Sequence, residues 1–281
     1  MTVFLNGQFV PAEQAVVSVF DRGFLYGDGL FETILVRNGR PFRFEQHLVR
    51  LQNGAGFLGI AMPFAAPALS SFAAQLLREN RLADGVLRLT LSRGVGRRGY
   101  SPRDASQPTM VMTLHPNPLH DPAHPPQWRL VTSPFRLPAH EAVARFKTCN
   151  KLPQILARSD AEARDADEAL LLNTEGHVVE GAASNLFWID DGRVGTPPLE
   201  SGILAGITRA VVLEICQRRD VPTVEAGITP EGLRAQDGVF LSLSTLGIVE
   251  ALTLDGAAVR RSSLTSCLRD DYWRLVQQET E

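Results

Sequence analysis

Lysine is nearly missing from this chain, and the two lysines that it has lie close together. Lys and Arg together number 28, yet only Lys147 and Lys151 are lysines. Arginine can replace lysine as a surface cation, but its guanidinium stays protonated and cannot act as a neutral amine nucleophile. Either an arginine-rich composition left two lysines on the surface, or one of them is required as an amine. The sequence ARFKTCNKLPQILA places Lys147 just before a predicted helix, beside an Asn150 that can fix the turn.

The residues before position 115 are predicted to form a mixed α+β unit. Two strands flank an Asn-Gly turn in VFLNGQFVP, and a strand from Phe31 to Arg37 turns at Asn38-Gly39. Apolar residues at helical spacing predict a helix in EQHLVRLQNGAGFLGI, which carries Arg50, despite its glycines. Another helix is predicted from Ser70 to Arg81, and VLRLTLSRG and PTMVMTLHP are predicted strands on either side of a Gly/Arg loop.

A proline-rich segment from His115 to Trp128 is typical of a connection between domains. We therefore predict an N-terminal α/β domain at 1–114, a linker at 115–128 and a C-terminal domain at 129–281. The three histidines of this linker, His115, His120 and His124, are not predicted to bind metal, because prolines disrupt the local geometry and no partner motif follows.

The elements predicted after the linker alternate between strands and helices. A strand at WRLVTSPF is followed by a helix from Leu152 to Arg164 and a strand at EALLLN. Two strands joined by a small-residue turn are predicted in HVVEGAASNLFWID, a helix begins after Gly206, and LTSCLRDDYWRLVQQ forms a closing helix.

The composition excludes several classes of protein. With 281 residues, 44% of them hydrophobic, the chain has enough apolar material for two globular domains. A net charge of -3 lacks the basic excess that nucleic-acid binding needs. We see no membrane span and no signal peptide, so a cytoplasmic location is expected. Three widely spaced cysteines favour neither a disulfide framework nor a zinc site.

Six segments in order resemble the class IV, or fold-type IV, pyridoxal-phosphate enzymes. They are DRGFLYGDGLFET, HLVRL, FKTCNKL, EALLLNTEGHVVEGAASNLFWI, TPPLESGILAGITR and VFLSLSTLGIVE. The family includes branched-chain aminotransferases, D-amino-acid aminotransferases and aminodeoxychorismate lyases. The resemblance implies a mixed α/β fold of two domains with pyridoxal 5'-phosphate in the cleft between them. It makes 129–281 the cofactor-binding domain. It also implies a homodimer whose partner loops complete the active site.

The resemblance also implies which residues bind the cofactor. Lys147, in KTCN, matches the lysine that forms the Schiff base and then moves a proton at the substrate carbon. Glu180, in VVEGAASN, matches the glutamate that pairs with the pyridine nitrogen. The residues expected to bind the phosphate are Arg50, Gly206, Ile207, Thr208 and Ser244.

The residues that resemble those of the lyases are Thr33 and the loop SRGVGRRGYSP. This loop would offer Arg98 and Tyr100 to substrate carboxylates, although a solvated Gly/Arg turn is the alternative. Thr33 matches a threonine that helps to protonate the leaving side in the lyases, although threonine is also common in strands. Lys151 resembles the basic residue that the lyases have where branched-chain enzymes have a tyrosine. This difference argues against a branched-chain enzyme. Further substrate contacts are expected from Phe31, as an apolar wall, and from Thr245.

These residues together favour 4-amino-4-deoxychorismate lyase, which releases pyruvate and forms 4-aminobenzoate for folate synthesis. The substrate is thus a small molecule with amino and carboxylate groups. A D-amino-acid, branched-chain or amine transaminase of the same fold is the alternative, since a few loop residues redirect specificity without changing the fold. A binding protein without turnover would be expected to lose Lys147 or Glu180, and both are present.

Overall fold

The computed structural model describes residues 1–117 and 121–281, which form two compact units. Among the described residues, the first unit comprises 1–117, 146–150 and 276–281, and the second comprises 121–145 and 151–275. The division at 1–114, 115–128 and 129–281 stays a prediction, as does a cofactor cleft. Contacts within the chain place 146–150 and 276–281 in the first unit. The amino-acid composition of these segments does not indicate this assignment.

The first unit is built on a six-stranded antiparallel sheet. Its strands are β1 (Thr2–Leu5), β2 (Gln8–Pro11), β3 (Gly29–Arg37), β4 (Arg40–Pro41), β5 (Gly85–Ser92) and β6 (Thr109–His115). They follow the order β2-β1-β6-β5-β3-β4. Both predicted Asn-Gly turns are confirmed: Asn6 and Gly7 have φ of 50° and 92°, and Asn38 and Gly39 have 50° and 70°. Asparagine and glycine tolerate these left-handed conformations, which suit a two-residue hairpin.

Three α-helices lie wholly in the described part of the first unit: α1 (Arg22–Tyr26), α2 (Phe44–Leu58) and α3 (Ala66–Asn80). Apolar residues of α2 and α3 pack with one face of the sheet in a single core. Gly54 of α2 lies where space is tight, against the Leu30 side chain. A Cβ at Gly54 would lie 3.0 Å from the Leu30 side chain. Helix α3 begins before the predicted Ser70, with a proline in its first turn, where the missing N–H removes no hydrogen bond.

The second unit is built on a nine-stranded mixed sheet. Its strands are β7 (Gln127–Leu137), β8 (Glu168–Asn173), β9 (Val178–Gly181), β10 (Asn185–Asp190), β11 (Arg193–Thr196), β12 (Thr223–Glu225), β13 (Gly238–Leu243), β14 (Gly247–Leu254) and β15 (Ala257–Ala258). The order is β12-β11-β10-β13-β14-β7-β8-β9, with β15 on β14. Because β9 also pairs with β10, part of this sheet closes on itself.

The remaining helices are α4 (Leu152–Ala163), α5 (Ile207–Arg218), α6 (Pro230–Arg234) and α7 (Ser263–Thr280). Ala157 and Ala161 of α4 pack against Leu171 and Val179 in one core, while Leu170 lies in another. Since β8 is therefore covered on both faces, its sequence is apolar without alternation. The mixed α/β fold predicted from the sequence is confirmed. Within the described residues, every helix is too short or too polar to cross a membrane.

Candidate active site

Lys147 lies in a short segment, residues 146–150, that runs antiparallel beside the start of β3. The amide of Phe31 donates to the carbonyl oxygen of Lys147 at 2.8 Å. An isolated antiparallel bridge joins Leu30 to Thr148. These contacts fix the backbone of Lys147 against the sheet, so the position of its amine depends on β3.

Asn150 ends this segment and ties it to the residue after α1. Its Nδ2 donates to the carbonyl oxygen of Gly27 at 3.1 Å. Gly27 has a φ of +65°, and a Cβ there would lie only 2.6 Å from Oδ1 of Asn150. Asn150 thus holds the Lys147 segment through a long-range contact, whereas the sequence predicted that it would fix its own turn.

Two cations lie over the ring of Phe31. The amine nitrogen of Lys147 is 4.7 Å from the ring centroid, and the guanidinium carbon of Arg88 is 4.0 Å from it. Cations at this range are attracted to the negative face of an aromatic ring. Thr33 follows Phe31 on the same face of β3 and pairs with Arg88 of β5 in the strand register. Of the predicted site residues, Phe31 thus lies beside the lysine amine, and Thr33 lies two residues further along the same face of β3.

Arg88 is a candidate site residue that the sequence did not predict. Its burial lowers the pKa of the guanidinium, which the nearby Cys149 opposes. An arginine with a lowered pKa still remains a cation at neutral pH. The alternation in VLRLTLS could have identified it, because Leu87, Leu89 and Leu91 belong to the core and Arg88 projects from the opposite face.

Arg50, on α2, is held by the buried carboxylate of Glu32, on β3. Its Nε donates to Oε1 of Glu32 at 2.8 Å and its Nη2 to Oε2 at 2.5 Å. The Nδ1 atom of His47 lies 2.7 Å from Oε2 of the same carboxylate. A bidentate pair of this kind fixes the plane of a guanidinium. The structure therefore gives Arg50, the predicted phosphate ligand, a defined orientation.

The charges of this cluster follow from its surroundings. Burial raises the pKa of Glu32, but hydrogen bonds from Arg50 and His47 outweigh it and hold that pKa below its ordinary value. Burial lowers the pKa of His47, and the positive charges of Arg50 and Lys147 lower it further, against the attraction of Glu32. At neutral pH the cluster therefore combines an ionised carboxylate, a guanidinium and a neutral imidazole.

We expect Glu32→Gln to lower the free energy of unfolding by about 3–5 kcal/mol at pH 7, as for removal of one partner of a buried ion pair. Because the pKa of Glu32 is lower in the folded protein than its ordinary 4.5, this stabilisation is present above pH 4.5 and is lost as pH falls through the folded-state value. Urea unfolding of wild type and variant between pH 7 and pH 3 measures the difference. A gap that stays constant across this range would contradict the prediction.

Arg98 and Tyr100 lie in the loop between β5 and β6, on the surface of the first unit. Arg98 is exposed and Tyr100 is 87% exposed. The ring of Tyr100 meets that of Tyr26 edge to face, with 5.7 Å between the centroids. Both predicted substrate residues thus stay accessible to a ligand or to another chain.

Glu180, the predicted partner of the pyridine nitrogen, lies where β9 meets β10 in the second unit. It is 9% exposed, and the amide of Leu204 donates to its Oε2 at 3.0 Å. Asn185 pairs with Glu180 across the strands, and its Nδ2 donates to the carbonyl of Leu204 at 3.0 Å. The Glu180 carboxylate is therefore oriented by a closed group of three residues.

The start of α5 lies beside this group. The predicted helix start after Gly206 is confirmed, and α5 begins at Ile207 without a side-chain cap. A Cβ at Gly206 would lie 1.9 Å from Oδ1 of Asn185, so only glycine permits this approach of the backbone. The amides of Ile207 and Thr208 belong to the first turn, whose N–H groups and dipole favour an anion. The predicted phosphate ligands of this segment thus lie at a helix N-terminus next to the Glu180 group.

Ser244 and Thr245 lie in the turn between β13 and β14, and both are half-buried. Ser242, two residues earlier, pairs with Asn185 of β10. This register brings the turn to the same end of the sheet as Glu180. The second unit therefore gathers its predicted cofactor residues at one edge.

Glu168 is a further buried acid, and the sequence did not predict its role. It is fully buried, and burial raises its pKa, which backbone amides, Arg158 and Ser184 oppose. Its Oε2 accepts from the amide of Ala183 and the hydroxyl of Ser184, both at 3.3 Å. Glu168 thus supports the turn that follows Glu180. The sequence signal for this buried acid was a glutamate at the start of EALLLN, a strand that is otherwise mainly apolar.

Metal ligands are not grouped in residues 1–117 and 121–281, since no cluster of three or more His, Cys, Asp or Glu side chains there could hold an ion. His120, one of the three linker histidines, lies outside the described residues.

Comparison with known proteins identifies one family. The family described as Amino-transferase class IV matches residues 29–253. A provisionally named branched-chain-amino-acid aminotransferase of Methanocaldococcus jannaschii is 36% identical, covering 94% of this chain and 91% of the relative. A D-alanine aminotransferase of Staphylococcus aureus is 31% identical and covers 99% of each chain.

Solved structures divide between two kinds of reaction. The 4-amino-4-deoxychorismate lyase of Pseudomonas aeruginosa is 34% identical, with a TM-score of 0.84 and coverage of 96% of this chain and 97% of that one. The branched-chain aminotransferase of Thermoproteus uzoniensis is 30% identical, with a TM-score of 0.91 and coverage of 100% and 96%. Another similar branched-chain aminotransferase was solved with pyridoxamine 5'-phosphate. The relatives thus agree on the fold and differ in the reaction named.

Proposed function

Because this chain belongs to the class IV aminotransferase family, we propose that this pyridoxal-phosphate enzyme acts as 4-amino-4-deoxychorismate lyase. It would release pyruvate and form 4-aminobenzoate for folate synthesis. The observation that carries the proposal is the face of β3 and β5 beside Lys147. There the hydroxyl-bearing Thr33 and the guanidinium of Arg88 are paired in register, and the amine of Lys147 shares the ring of Phe31 with Arg88.

Pyridoxal 5'-phosphate is the cofactor of this family, and the chain carries residues whose chemistry suits it. Bound cofactor supplies an electron sink for the electrons released at the substrate carbon. Lys147 would hold its aldehyde carbon and Glu180 its ring nitrogen, whose proton a carboxylate stabilises. The phosphate would be held by the first-turn amides of α5, where a Cβ at Gly206 would fill the cradle, and by Arg50. Ser244 would add a hydroxyl.

The elimination requires one proton to leave and one to be delivered. The proton on the substrate carbon that bears the amino group is lost, and the ring C–O bond to the enolpyruvyl group breaks. The departing enolate takes up one proton and becomes pyruvate, so atoms balance without an oxidant or reductant. Lys147 would move the first proton, and Thr33 would hold the second at the leaving oxygen. Arg88 and Arg98 would bind the two substrate carboxylates, and Tyr100 and Thr245 would contact the substrate.

We expect Arg98→Ala to raise the KM for aminodeoxychorismate roughly tenfold to a hundredfold, as a hydrogen bond to a charged group contributes about 1.5–3 kcal/mol. The kcat should change less, because Arg98 binds and does not move protons. Arg97→Ala is the matched control, since Arg97 lies on the same loop and faces Asp104 at the surface. Equal KM values for Arg98→Ala and wild type would remove Arg98 from the site.

The proposed reaction is tested by the products. Purified, cofactor-loaded protein is incubated with aminodeoxychorismate and, separately, with D- and L-amino acids plus 2-oxoglutarate. Equimolar pyruvate and 4-aminobenzoate are expected. Amino-group transfer without either product would contradict the lyase and establish a transaminase.

A transaminase is the second candidate. It is favoured by the 36% identity with the provisionally named branched-chain aminotransferase. Arg88 would suit it as well, because a cation beside the lysine can receive a carboxylate of an acidic amino donor. The D-amino-acid, branched-chain and amine transaminases differ in the donor that they accept, so the donor panel separates them.

We further propose that the enzyme is a homodimer. Apolar side chains before and within α1 are exposed in the single chain: Val16 by 77%, Val19 by 63%, Phe20 by 65% and Phe24 by 74%. A contiguous exposed apolar stretch of this kind is typical of a surface that another chain covers. Sedimentation at micromolar concentration should give twice the mass of the chain, and Phe24→Glu should reduce it. A monomeric wild type would contradict the proposal.

A further inference from the structure

Arg22 is a buried arginine whose guanidinium grips the backbone of the loop that carries Arg98 and Tyr100. It is 4% exposed. Its Nη1 donates to the carbonyl oxygens of Gly99 at 2.8 Å and of Ser101 at 3.1 Å, and its Nη2 to that of Tyr100 at 3.1 Å. One side chain therefore binds three consecutive carbonyls, for which the fork of a guanidinium is suited.

The remaining edge of this guanidinium is anchored to the body of the first unit. Its Nε donates to Oδ2 of Asp28 at 2.8 Å. Asp28 also accepts from Arg93, from Nε at 2.7 Å and from Nη2 at 3.1 Å. Arg93 in turn donates to the carbonyls of Leu58 and Gly59 at the end of α2. Hydrogen bonds through Asp28 and Arg93 therefore connect Arg22 to the C-terminal end of α2.

Neighbouring residues make room for this contact and add to it. A Cβ at Gly96 would lie 3.0 Å from Cδ of Arg22, so glycine at this position leaves space for the Arg22 side chain. The amide of Gly99 donates to the hydroxyl of Tyr26 at 3.1 Å, and the guanidinium of Arg22 lies 5.0 Å from the Tyr26 ring centroid. The loop backbone is thus fixed from within, while the side chain of Tyr100 stays exposed.

We propose that Arg22 is a positioning residue for substrate recognition: by binding the carbonyls of residues 99–101 it fixes the loop so that Arg98 is presented to a substrate carboxylate. The inference rests on the proposed function, because that function assigns Arg98 to the substrate. Arg22 itself touches no substrate. Loss of Arg22 would disorder the loop, and this disorder would lower the fraction of molecules competent to bind substrate.

The test compares Arg22→Lys with a matched control, Arg37→Lys. Lysine keeps the positive charge near Asp28, but its three donors cannot replace all four of the contacts that Arg22 makes to Asp28 and the three carbonyls. Arg37 is likewise buried, lies on β3 and pairs with Asp84, away from the loop. Thermal unfolding of each cofactor-loaded variant establishes that it is folded. A second variant, Tyr26→Phe, removes only the hydroxyl contact to Gly99 and should loosen the loop more weakly.

Two readouts are followed in the holoenzyme: the rate of trypsin cleavage after Arg97 and Arg98, identified by fragment mass, and KM and kcat for aminodeoxychorismate. Arg22→Lys should speed cleavage and raise KM, each roughly tenfold, with kcat changed by less than about twofold. Arg37→Lys should change neither. A loss of kcat with KM unchanged would indicate a general structural role and overturn the inference.

Arg98→Ala, measured in parallel, separates this inference from the proposed function. Unchanged cleavage in Arg22→Lys would show that Arg22 does not hold the loop, whatever reaction the enzyme performs. Faster cleavage with an unchanged KM, while Arg98→Ala raises KM, would overturn the positioning role alone. If Arg98→Ala itself leaves KM unchanged, the role of Arg98 in the proposed function fails, and the inference fails with it.

Discussion

Replacing Lys147 by alanine is expected to abolish turnover together with the absorbance of covalently held cofactor. The same amine would hold the cofactor and move the substrate proton, and proton transfer by a positioned side chain alone contributes about 10²–10⁴-fold. The loss in kcat should therefore be at least about 10³-fold. Activity and the absorbance of the reconstituted protein measure it.

Lys151→Ala is the matched control for this substitution, because Lys151 is the only other lysine. It lies at the N-cap of α4, in the second unit. The variant should keep both the cofactor absorbance and most of the activity. Wild-type turnover in Lys147→Ala, or a loss confined to Lys151→Ala, would sink the assignment of Lys147.

Glu180→Gln is expected to lower kcat by about 10²–10³-fold, the range for removal of one preorganised electrostatic partner in an active site. Glutamine fits the space and can still accept from the amide of Leu204, which holds Oε2 of Glu180 at 3.0 Å. It carries no charge, however, and cannot stabilise a protonated ring nitrogen. The effect should thus appear in turnover and in the spectrum of bound cofactor more than in the stability of the fold.

Glu162→Gln, on the exposed side of α4, is the control for removal of a carboxylate without a site role. It should leave turnover unchanged, since an exposed i,i+4 ion pair contributes about 0.3–0.5 kcal/mol to stability. Full activity in Glu180→Gln would instead show that the ring nitrogen needs no carboxylate from this residue.

Local sequence patterns were sufficient to predict most helices and strands. The Asn-Gly dipeptides predicted two hairpins, and Gly206 predicted the start of α5. The start of α3 was missed because Pro67 was not recognised as a first-turn residue. These signals are short-range, so they survive in a single sequence.

Long-range contacts explain what the sequence did not predict. Lys147 was found by its residue type, but its pairing with Phe31 joins residues far apart in the chain. Arg88 and Glu168 acquire their significance from burial and from partners that no local pattern specifies. The grip of Arg22 on a loop 77 to 79 residues away is of the same kind. Such contacts form only in the packed fold, and a local sequence motif contains only one of the two residues in contact.

The most direct test of the central claim is to locate the lysine that holds the cofactor. Borohydride reduction of the cofactor-loaded protein fixes the phosphopyridoxyl group on its amine, and peptide mass mapping then identifies the residue. With two lysines in the chain, the outcome is unambiguous. We predict the modification on Lys147 alone. Modification of Lys151, or a chain that binds the cofactor without a reducible bond to either lysine, would contradict the proposed active site.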